Sequence, residues 1–117
     1  MEEQGYTLYG DGSRQCWIDG QLHKKDGPAI IGASGSKEWW LYGKRHREDG
    51  PAVEYPDGTK FWYLNGKYHR EGGPAVEYSN GGKVWYVNGK ILTKEQFNKE
   101  YNKGKILKVF KWNQSVK

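Results

Sequence analysis

The chain has 117 residues, the length of one ordinary domain with one hydrophobic core. Only 35% of the residues are hydrophobic, but 15% are aromatic and 17 are glycine, which is typical of a β-rich protein with frequent tight turns and a core of large rings. No apolar run approaches the ~20 residues that span a bilayer, and the N-terminus lacks the segments of a signal peptide, so we expect a cytoplasmic protein that does not insert into membranes.

The charge is distributed unevenly along the chain. Residues 1–89 carry 11 Lys and Arg against 12 Asp and Glu, whereas residues 90–117 carry 8 against 2. The net charge of +5 therefore comes from the C-terminal end. A nearly neutral body argues against a nucleic-acid-binding surface over the whole protein, while the Lys-rich end leaves nucleic acid or a nucleotide open as an alternative partner.

A period of 23 residues runs through nearly the whole chain. It is defined by two sets of turn glycines and by the tripeptide Gly-Pro-Ala. The first set is Gly20, Gly43, Gly66 and Gly89, the second is Gly12, Gly35, Gly58 and Gly81, and the tripeptides lie at 27–29, 50–52 and 73–75. Most of these glycines follow Asn or Asp, a step that favours two-residue hairpin turns. The sequence therefore predicts an all-β fold of four β-hairpin repeats, at about 10–92, that form a meandering antiparallel sheet with about two main strands per unit.

Alternation along the predicted strands separates two rows of large side chains. The row predicted to form the core consists of Trp39, Trp62 and Trp85 with Leu41, Leu64 and Val87, and its place in the first unit is taken by Cys16 and Ile18. The row on the opposite face consists of Trp17, Trp40, Tyr63 and Tyr86. Because its neighbours have mixed polarity, we expect this second row to be partly exposed.

The pattern changes after the fourth unit. Thr93 to Gln96 has the spacing of a capping box, and Phe97 and Tyr101 then fall on one helical face, which predicts a helix from Lys94 to about Asn102. Gly104 is predicted to end this helix, and the segment from Ile106 to Trp112 to return as a strand that covers the open sheet edge. Residues 93–117 are thus expected to cap a single domain of 1–117.

The repeated words resemble a known family. Trp-x-x-Asn-Gly-Lys-x-His at a 23-residue period resembles MORN repeats, and the longer form with His-Arg-Glu-x-Gly-Pro-Ala is similar to the MORN-variant repeats of bacterial and phage proteins. The resemblance covers roughly residues 10–92. It implies a β-hairpin array that acts as an interaction scaffold. In a phage-encoded member it implies an anti-defence role in the host cytoplasm, as an inhibitor of a host or defence protein.

The three histidines, His23, His46 and His69, occupy equivalent positions in successive units. Such positions lie ~10 Å apart and cannot share one ion, so we expect neither a metal nor another cofactor. Each histidine is expected to close its own turn by hydrogen bonding to a local Asp or to the backbone, with contact to a partner as the alternative. Acid–base catalysis needs one histidine that differs from its siblings, and no nucleophile triad accompanies them, so the sequence predicts no enzyme activity and no catalytic residue.

The basic residue after each histidine allows two interpretations. Lys24, Arg47 and Arg70 either form solvated charge pairs between units or join the second aromatic row in a binding face. The candidate binding residues are Trp17, Trp40, Tyr63, Tyr86, His46, His69, Arg47 and Arg70. The sequence therefore predicts a non-enzymatic protein-binding module, with an anionic ligand or a homo-oligomer as the alternatives.

Overall fold

The computed structural model of the chain describes residues 2, 3 and 5–102. These residues form sixteen short strands, one α-helix and one π-helical segment, so the predicted all-β hairpin-repeat fold is confirmed. The strands are β1 (Glu2–Glu3), β2 (Tyr6–Leu8), β3 (Arg14–Gln15), β4 (Trp17–Ile18), β5 (Gln21–Leu22), β6 (Ile30–Ile31), β7 (Lys37–Glu38), β8 (Trp40–Leu41), β9 (Lys44–Arg45), β10 (Val53–Glu54), β11 (Lys60–Phe61), β12 (Tyr63–Leu64), β13 (Lys67–Tyr68), β14 (Val76–Glu77), β15 (Lys83–Val87) and β16 (Lys90–Leu92). The helix α1 (Lys94–Phe97) continues into the π-helical segment Asn98–Asn102.

The described strands follow a simple antiparallel topology. Ten of them form one sheet in the order β1-β2-β3-β6-β7-β10-β11-β14-β15-β16. The other six pair as side hairpins, β4 with β5, β8 with β9 and β12 with β13. Each inner unit therefore contributes two strands to the main sheet, as predicted, and one hairpin beside it. The array is elongated, with principal-axis extents of 63 × 28 × 26 Å.

The two turns of each unit differ in type. The side-hairpin turns have two successive residues with positive φ, the pattern of the type I′ turn that an Asn-Gly or Asp-Gly step favours. The non-glycine members are Asp19, Tyr42 and Asn65, with φ of 50–51°, and the turn between β15 and β16 has the same pattern at Asn88, with φ of 52°.

In the turns at Gly12, Gly35, Gly58 and Gly81, the glycine has positive φ, but the residue before it does not. In the third unit, the Gly58 N–H donates to the Tyr55 carbonyl and the Tyr55 N–H donates to the Thr59 carbonyl, which closes a three-residue loop. The prediction of two-residue turns at Asp57-Gly58 and Asn80-Gly81 is therefore wrong. The Asp57 carboxylate contributes to this shape because it accepts a hydrogen bond from the Thr59 N–H at 2.9 Å.

The core of the array consists mainly of small side chains. The alanine of each Gly-Pro-Ala step is fully buried, and Val53 and Val76 beside two of them are buried as well. The alanine carbonyls accept hydrogen bonds of 2.7 Å from the backbone N–H groups of Cys16, Trp39 and Trp62. These bonds bring the backbones of consecutive units so close that only a methyl group fits between them.

The predicted tryptophan core is only partly correct. Cys16 and Val87 are buried as predicted, but Trp39, Trp62 and Trp85, together with Leu41 and Leu64, are half-buried, and Ile18 is 49% exposed. At Trp39 and Trp62 the chain leaves the main sheet to enter the side hairpin, whereas Trp85 lies inside the longer strand β15. Strand alternation therefore does not carry the rings of Trp39 and Trp62 beneath the sheet.

The C-terminal helix begins as predicted. The Thr93 hydroxyl accepts a hydrogen bond from the Gln96 N–H at 3.0 Å, and the Gln96 side-chain oxygen accepts one from the Thr93 N–H at 2.9 Å, so the capping box is confirmed. Phe97 is buried, with its ring 6.4 Å from that of Trp85 and 5.4 Å from that of Tyr101. The helix end predicted at Gly104 and the strand predicted from Ile106 to Trp112 lie outside the described residues.

The register of the main sheet defines its two faces, because residues directly opposite each other on antiparallel strands point to the same side. On what we call the aromatic face, the paired residues are Gln15, Ile30, Glu38, Val53, Phe61, Val76 and Val84. On what we call the groove face, they are Arg14, Ile31, Lys37, Glu54, Lys60, Glu77 and Lys83. The groove face thus presents alternating charges across its strands, while the aromatic face is largely apolar.

Candidate functional site

The aromatic face carries a continuous row of stacked side chains. Each side hairpin pairs two of its members, which are Trp17 with Leu22, Trp40 with Arg45, Tyr63 with Tyr68, and in the last unit Tyr86 with Ile91. The ring of Tyr68 lies 4.5 Å from that of Tyr63 and 4.8 Å from that of Tyr86. The predicted aromatic row is therefore one connected surface from the third unit to the fourth, and Tyr68 is the link between them.

Arg45 extends this row to the second unit. Its guanidinium carbon lies 5.2 Å from the centre of the Trp40 ring and 5.4 Å from that of Tyr63. One Glu38 oxygen accepts hydrogen bonds from the Arg45 Nε, at 3.1 Å, and from the Trp40 indole nitrogen, at 3.0 Å. Burial opposes the charge of Arg45, but the nearby Glu38 carboxylate raises its pKa. The cation is thus held between two rings and neutralised by a carboxylate.

Sequence reasoning missed Arg45 and Tyr68. Both lie five residues after a predicted row member, at the position directly across the side hairpin. This spacing was a usable signal, because a two-residue turn places such residues opposite each other.

The pKa of Tyr68 is raised to about 12, first by burial and then by its hydrogen bond with Tyr63. Its phenol is therefore neutral up to strongly alkaline pH. Tyr63 and Tyr68 present a pair of stacked rings, inclined by 27° to one another, at the middle of the row. Trp17 lies at the N-terminal end of the row, where its exposed indole donates to the Gln15 side chain at 2.8 Å.

Three further rings widen the aromatic face beside the row. Phe61 lies 6.0 Å from Tyr68, and the rings of Tyr55 and Tyr78 stand nearly perpendicular to it, at 5.8 and 6.1 Å. Tyr55 and Tyr78 are 40% and 47% exposed. The sequence analysis did not select either tyrosine, because both lie outside the row of Trp17, Trp40, Tyr63 and Tyr86.

The histidines lie on the other side of the molecule and join consecutive units. The Nδ1 atoms of His23, His46 and His69 accept hydrogen bonds of 2.9–3.0 Å from the backbone N–H groups of Tyr42, Asn65 and Asn88. The expected backbone partner is therefore correct, but it belongs to the turn of the next unit, so the expectation that each histidine closes its own turn is wrong. Since Nδ1 accepts, the network assigns the ring proton to Nε2. In His46 and His69, this atom faces Glu48 at 3.6 Å and Glu71 at 3.2 Å.

Arg47 and Arg70 also have internal roles on this side. Their guanidinium carbons lie 3.8 Å from the ring centres of Trp39 and Trp62. The Arg47 Nη1 donates to the Pro51 carbonyl at 3.0 Å and to Glu54 at 2.8 Å, and Arg70 makes the equivalent bonds to Pro74 and Glu77. Each arginine thus connects the end of its own unit to the Gly-Pro-Ala loop and first strand of the next unit, so charge pairs between units are formed, with Glu54 and Glu77 as the acidic partners.

Two equivalent grooves run between the units on this side of the described residues. Their volumes are about 780 and 550 Å³, and corresponding lining residues are 23 positions apart. Trp39 and Leu41 line the first groove, and Trp62 and Leu64 line the second, with arginine, histidine and acidic side chains along both rims.

The structure therefore separates the eight candidate binding residues into two groups. Trp17, Trp40, Tyr63 and Tyr86 belong to the aromatic face, whereas the two histidines and two arginines lie at the grooves. The hypothesis that the arginines and the aromatic row form one binding face does not match this geometry.

Within the part of the chain that the structure describes, no group of three or more His, Cys, Asp or Glu side chains is arranged to hold a metal ion. Among the same residues, no helix has the length and apolar character needed to cross a membrane. Comparison of the chain with protein-family models and with curated proteins finds no match in either search.

Proposed function

We propose that the chain is a non-enzymatic binding module that holds a protein partner on its aromatic face. The observation that carries this proposal is the connected set of rings from Trp40 through Tyr63 and Tyr68 to Tyr86, widened by the exposed Tyr55 and Tyr78. Tyrosine, tryptophan and arginine are the residue types that dominate binding energies at protein interfaces. A contiguous aromatic patch of this kind on a protein surface marks an interaction site.

The rings of this face are held in place before any partner arrives. Tyr63 and Tyr68 are fixed across a tight hairpin, and Trp40 is anchored through its hydrogen bond to Glu38. A partner therefore does not have to pay the conformational entropy of ordering them, which favours binding.

The polar residues of the groove side support a binding role over a catalytic one. Each histidine uses Nδ1 for the same structural hydrogen bond, and the geometry repeats at 23-residue spacing without a distinct member. A catalytic site is a local departure from such regularity.

The class of partner follows from the resemblance to MORN-like repeats, which stays a prediction. On that basis we propose that the chain is phage-encoded and that the partner is a host or defence protein, inhibited in the host cytoplasm. An anionic ligand bound through the Lys-rich C-terminal end is the alternative, and its affinity would fall steeply with salt.

The test is a comparison of two double variants in partner capture, followed by affinity measurement with the purified partner. Trp40→Ala with Tyr63→Ala removes the centre of the aromatic face, whereas Lys60→Ala with Lys83→Ala changes exposed residues of the groove face. We expect the first variant to lose at least about tenfold in affinity, as truncated hot-spot residues do, and the second to bind like the native chain. Unchanged affinity of a folded Trp40 and Tyr63 variant would overturn the proposal.

A further inference from the structure

In one of the described units, the ring of Phe61 lies between those of two exposed tyrosines. We call this arrangement the Tyr55–Phe61–Tyr78 slot. The positions equivalent to Phe61 in the other units hold Gln15, Glu38 and Val84. The position equivalent to Tyr55 and Tyr78 in the second unit is Gly32. Only the third unit thus places an aromatic floor between two aromatic walls, so the slot is a local departure from the repeat and not a consequence of it.

The geometry of the slot follows from the sheet. Tyr55 and Tyr78 directly follow β10 and β14, the strands on either side of β11, which carries Phe61. Two strand spacings separate the tyrosines by about 10 Å. Since their ring centres lie 5.8 and 6.1 Å from that of Phe61, Phe61 is set back from the line that joins them. Both tyrosine rings stand at 84–87° to Phe61.

Hydrogen bonds hold the two walls together. The Ser79 N–H, beside Tyr78, donates to the buried Thr59 hydroxyl at 3.1 Å, and so connects the turn that follows Tyr55 with the turn that follows Tyr78. The Asp57 carboxylate lies in the same network. Hydrogen bonds from Thr59, and a further one from Ser79, lower its pKa, so it is a fixed negative charge in the loop beside the slot. Tyr68 lies beside the floor, with its ring centre 6.0 Å from that of Phe61.

We propose that this slot binds the quaternary ammonium group of a trimethylated lysine on the protein partner, an inference that rests on the proposed function. A cation seated over the Phe61 ring, slightly outside the line that joins the two walls, would lie about 5 Å from each tyrosine ring centre, inside the ~6 Å range of cation–π attraction. The negative charge of Asp57 complements it.

The methyl groups matter because the faces of the three rings offer no strong hydrogen-bond acceptor to a group seated between them. An unmethylated lysine would bring three N–H donors between these rings, where they lose water, whereas a trimethylated nitrogen carries none. The slot should therefore discriminate by methylation as well as by charge.

The experiment uses the full chain and three short peptides that differ only at one side chain. One carries trimethyllysine, one carries unmodified lysine, and one carries the neutral tert-butyl isostere of trimethyllysine, which has the same shape without the charge. Binding is followed by NMR titration of the ring and amide signals of the slot. We expect the trimethyllysine peptide to bind roughly tenfold more tightly than either of the others. Equal binding of the neutral isostere would overturn the proposal in favour of a purely apolar slot.

Two variants and one further probe complete the test. Phe61→Val places the residue of the fourth unit at the floor, and Tyr78→Ala removes an exposed wall without touching the core. Either should abolish the preference for trimethyllysine, while the distant Trp17→Ala should keep it. Binding to phosphatidylcholine vesicles without binding to the trimethyllysine peptide would overturn the assignment to a protein side chain.

The outcome separates this inference from the proposed function. If the Phe61 and Tyr78 variants still capture the partner at native affinity, the slot assignment fails and the wider aromatic face stands. If the Trp40 and Tyr63 variant captures the partner unchanged, the proposed function fails whatever the peptides do.

Discussion

The hydrogen bond between each histidine and the next unit can be tested by replacing His69 with the two amides. In asparagine, the side-chain oxygen takes nearly the place of the imidazole Nδ1, whereas in glutamine it takes nearly that of Nε2. His69→Asn therefore keeps an acceptor for the Asn88 N–H, now bonded at 2.9 Å, and His69→Gln does not. Leaving a half-buried N–H without a partner costs about 1–3 kcal/mol. The Nε2 contact to the exposed Glu71 contributes little, since surface ion pairs are worth about 0–1 kcal/mol.

We expect the glutamine variant to be at least about 1 kcal/mol less stable than the asparagine variant, a difference of several degrees in Tm for a chain of this size. Urea unfolding followed by circular dichroism measures the free energies, and equal m-values show that the unfolded states are comparable. Amide hydrogen exchange at Asn88 gives a local readout. Equal destabilisation by both amides, with unchanged protection at Asn88, would refute the assigned hydrogen bond.

Three further predictions concern single residues. Tyr42→Asn should raise the free energy of unfolding by about 0.5–1 kcal/mol in thermal melts. Tyr42 has a φ of 50° and is 70% exposed, so asparagine relieves the left-handed backbone strain by more than the lost ring contact with His23 costs. A lower stability of the variant would contradict this. Arg70→Lys should lower the free energy of unfolding, measured in urea, by about 1–2 kcal/mol although the positive charge is kept. Lysine cannot both stack on Trp62 and donate to Pro74 and Glu77 in the guanidinium geometry. An unchanged free energy of unfolding would show that these contacts do not stabilise the fold. Because folding raises the pKa of Tyr68, it favours the neutral phenol. The stability that this group contributes should be complete below pH 10 and lost as the pH rises through about 12. Ultraviolet titration of the native chain against Tyr68→Phe should show one phenol that ionises late, and ionisation of Tyr68 near pH 10 would contradict the assignment.

The period, the capping box and the aromatic row could be predicted because each depends on residues close in sequence. The partner of each histidine could not. A contact within one unit and a contact with the next unit produce the same 23-residue pattern. The period alone therefore cannot tell whether His46 bonds to Tyr42, in the turn of its own unit, or to Asn65, in the turn of the next unit. Only the three-dimensional offset between units places the Asn65 N–H at 3.0 Å from the His46 Nδ1.

The core was mispredicted for a different reason. Alternation assigns faces within a continuous strand, but here most strands are two residues long and the chain changes sheets at Trp39 and Trp62. The buried position went to the alanine after each Gly-Pro step, where the backbones of neighbouring units approach most closely. A small residue beside proline carries no hydrophobic signal of its own, so its burial could not be read from the pattern.

The two sides of the array differ in how far the units resemble one another. On the groove side, the inner units repeat the same histidine, arginine and glutamate contacts with nearly the same distances. On the aromatic face, the position of Phe61 holds a different residue in every unit, as does the position of Tyr68, which is Leu22 or Arg45 in the earlier units. The backbone hydrogen bonds and ion pairs of the groove side fit the same geometry in each inner unit, and this limits their variation. The side chains that join units on the aromatic face, Arg45 and Tyr68, differ from one unit to the next, which is why a specific binding surface is expected there and not in the grooves.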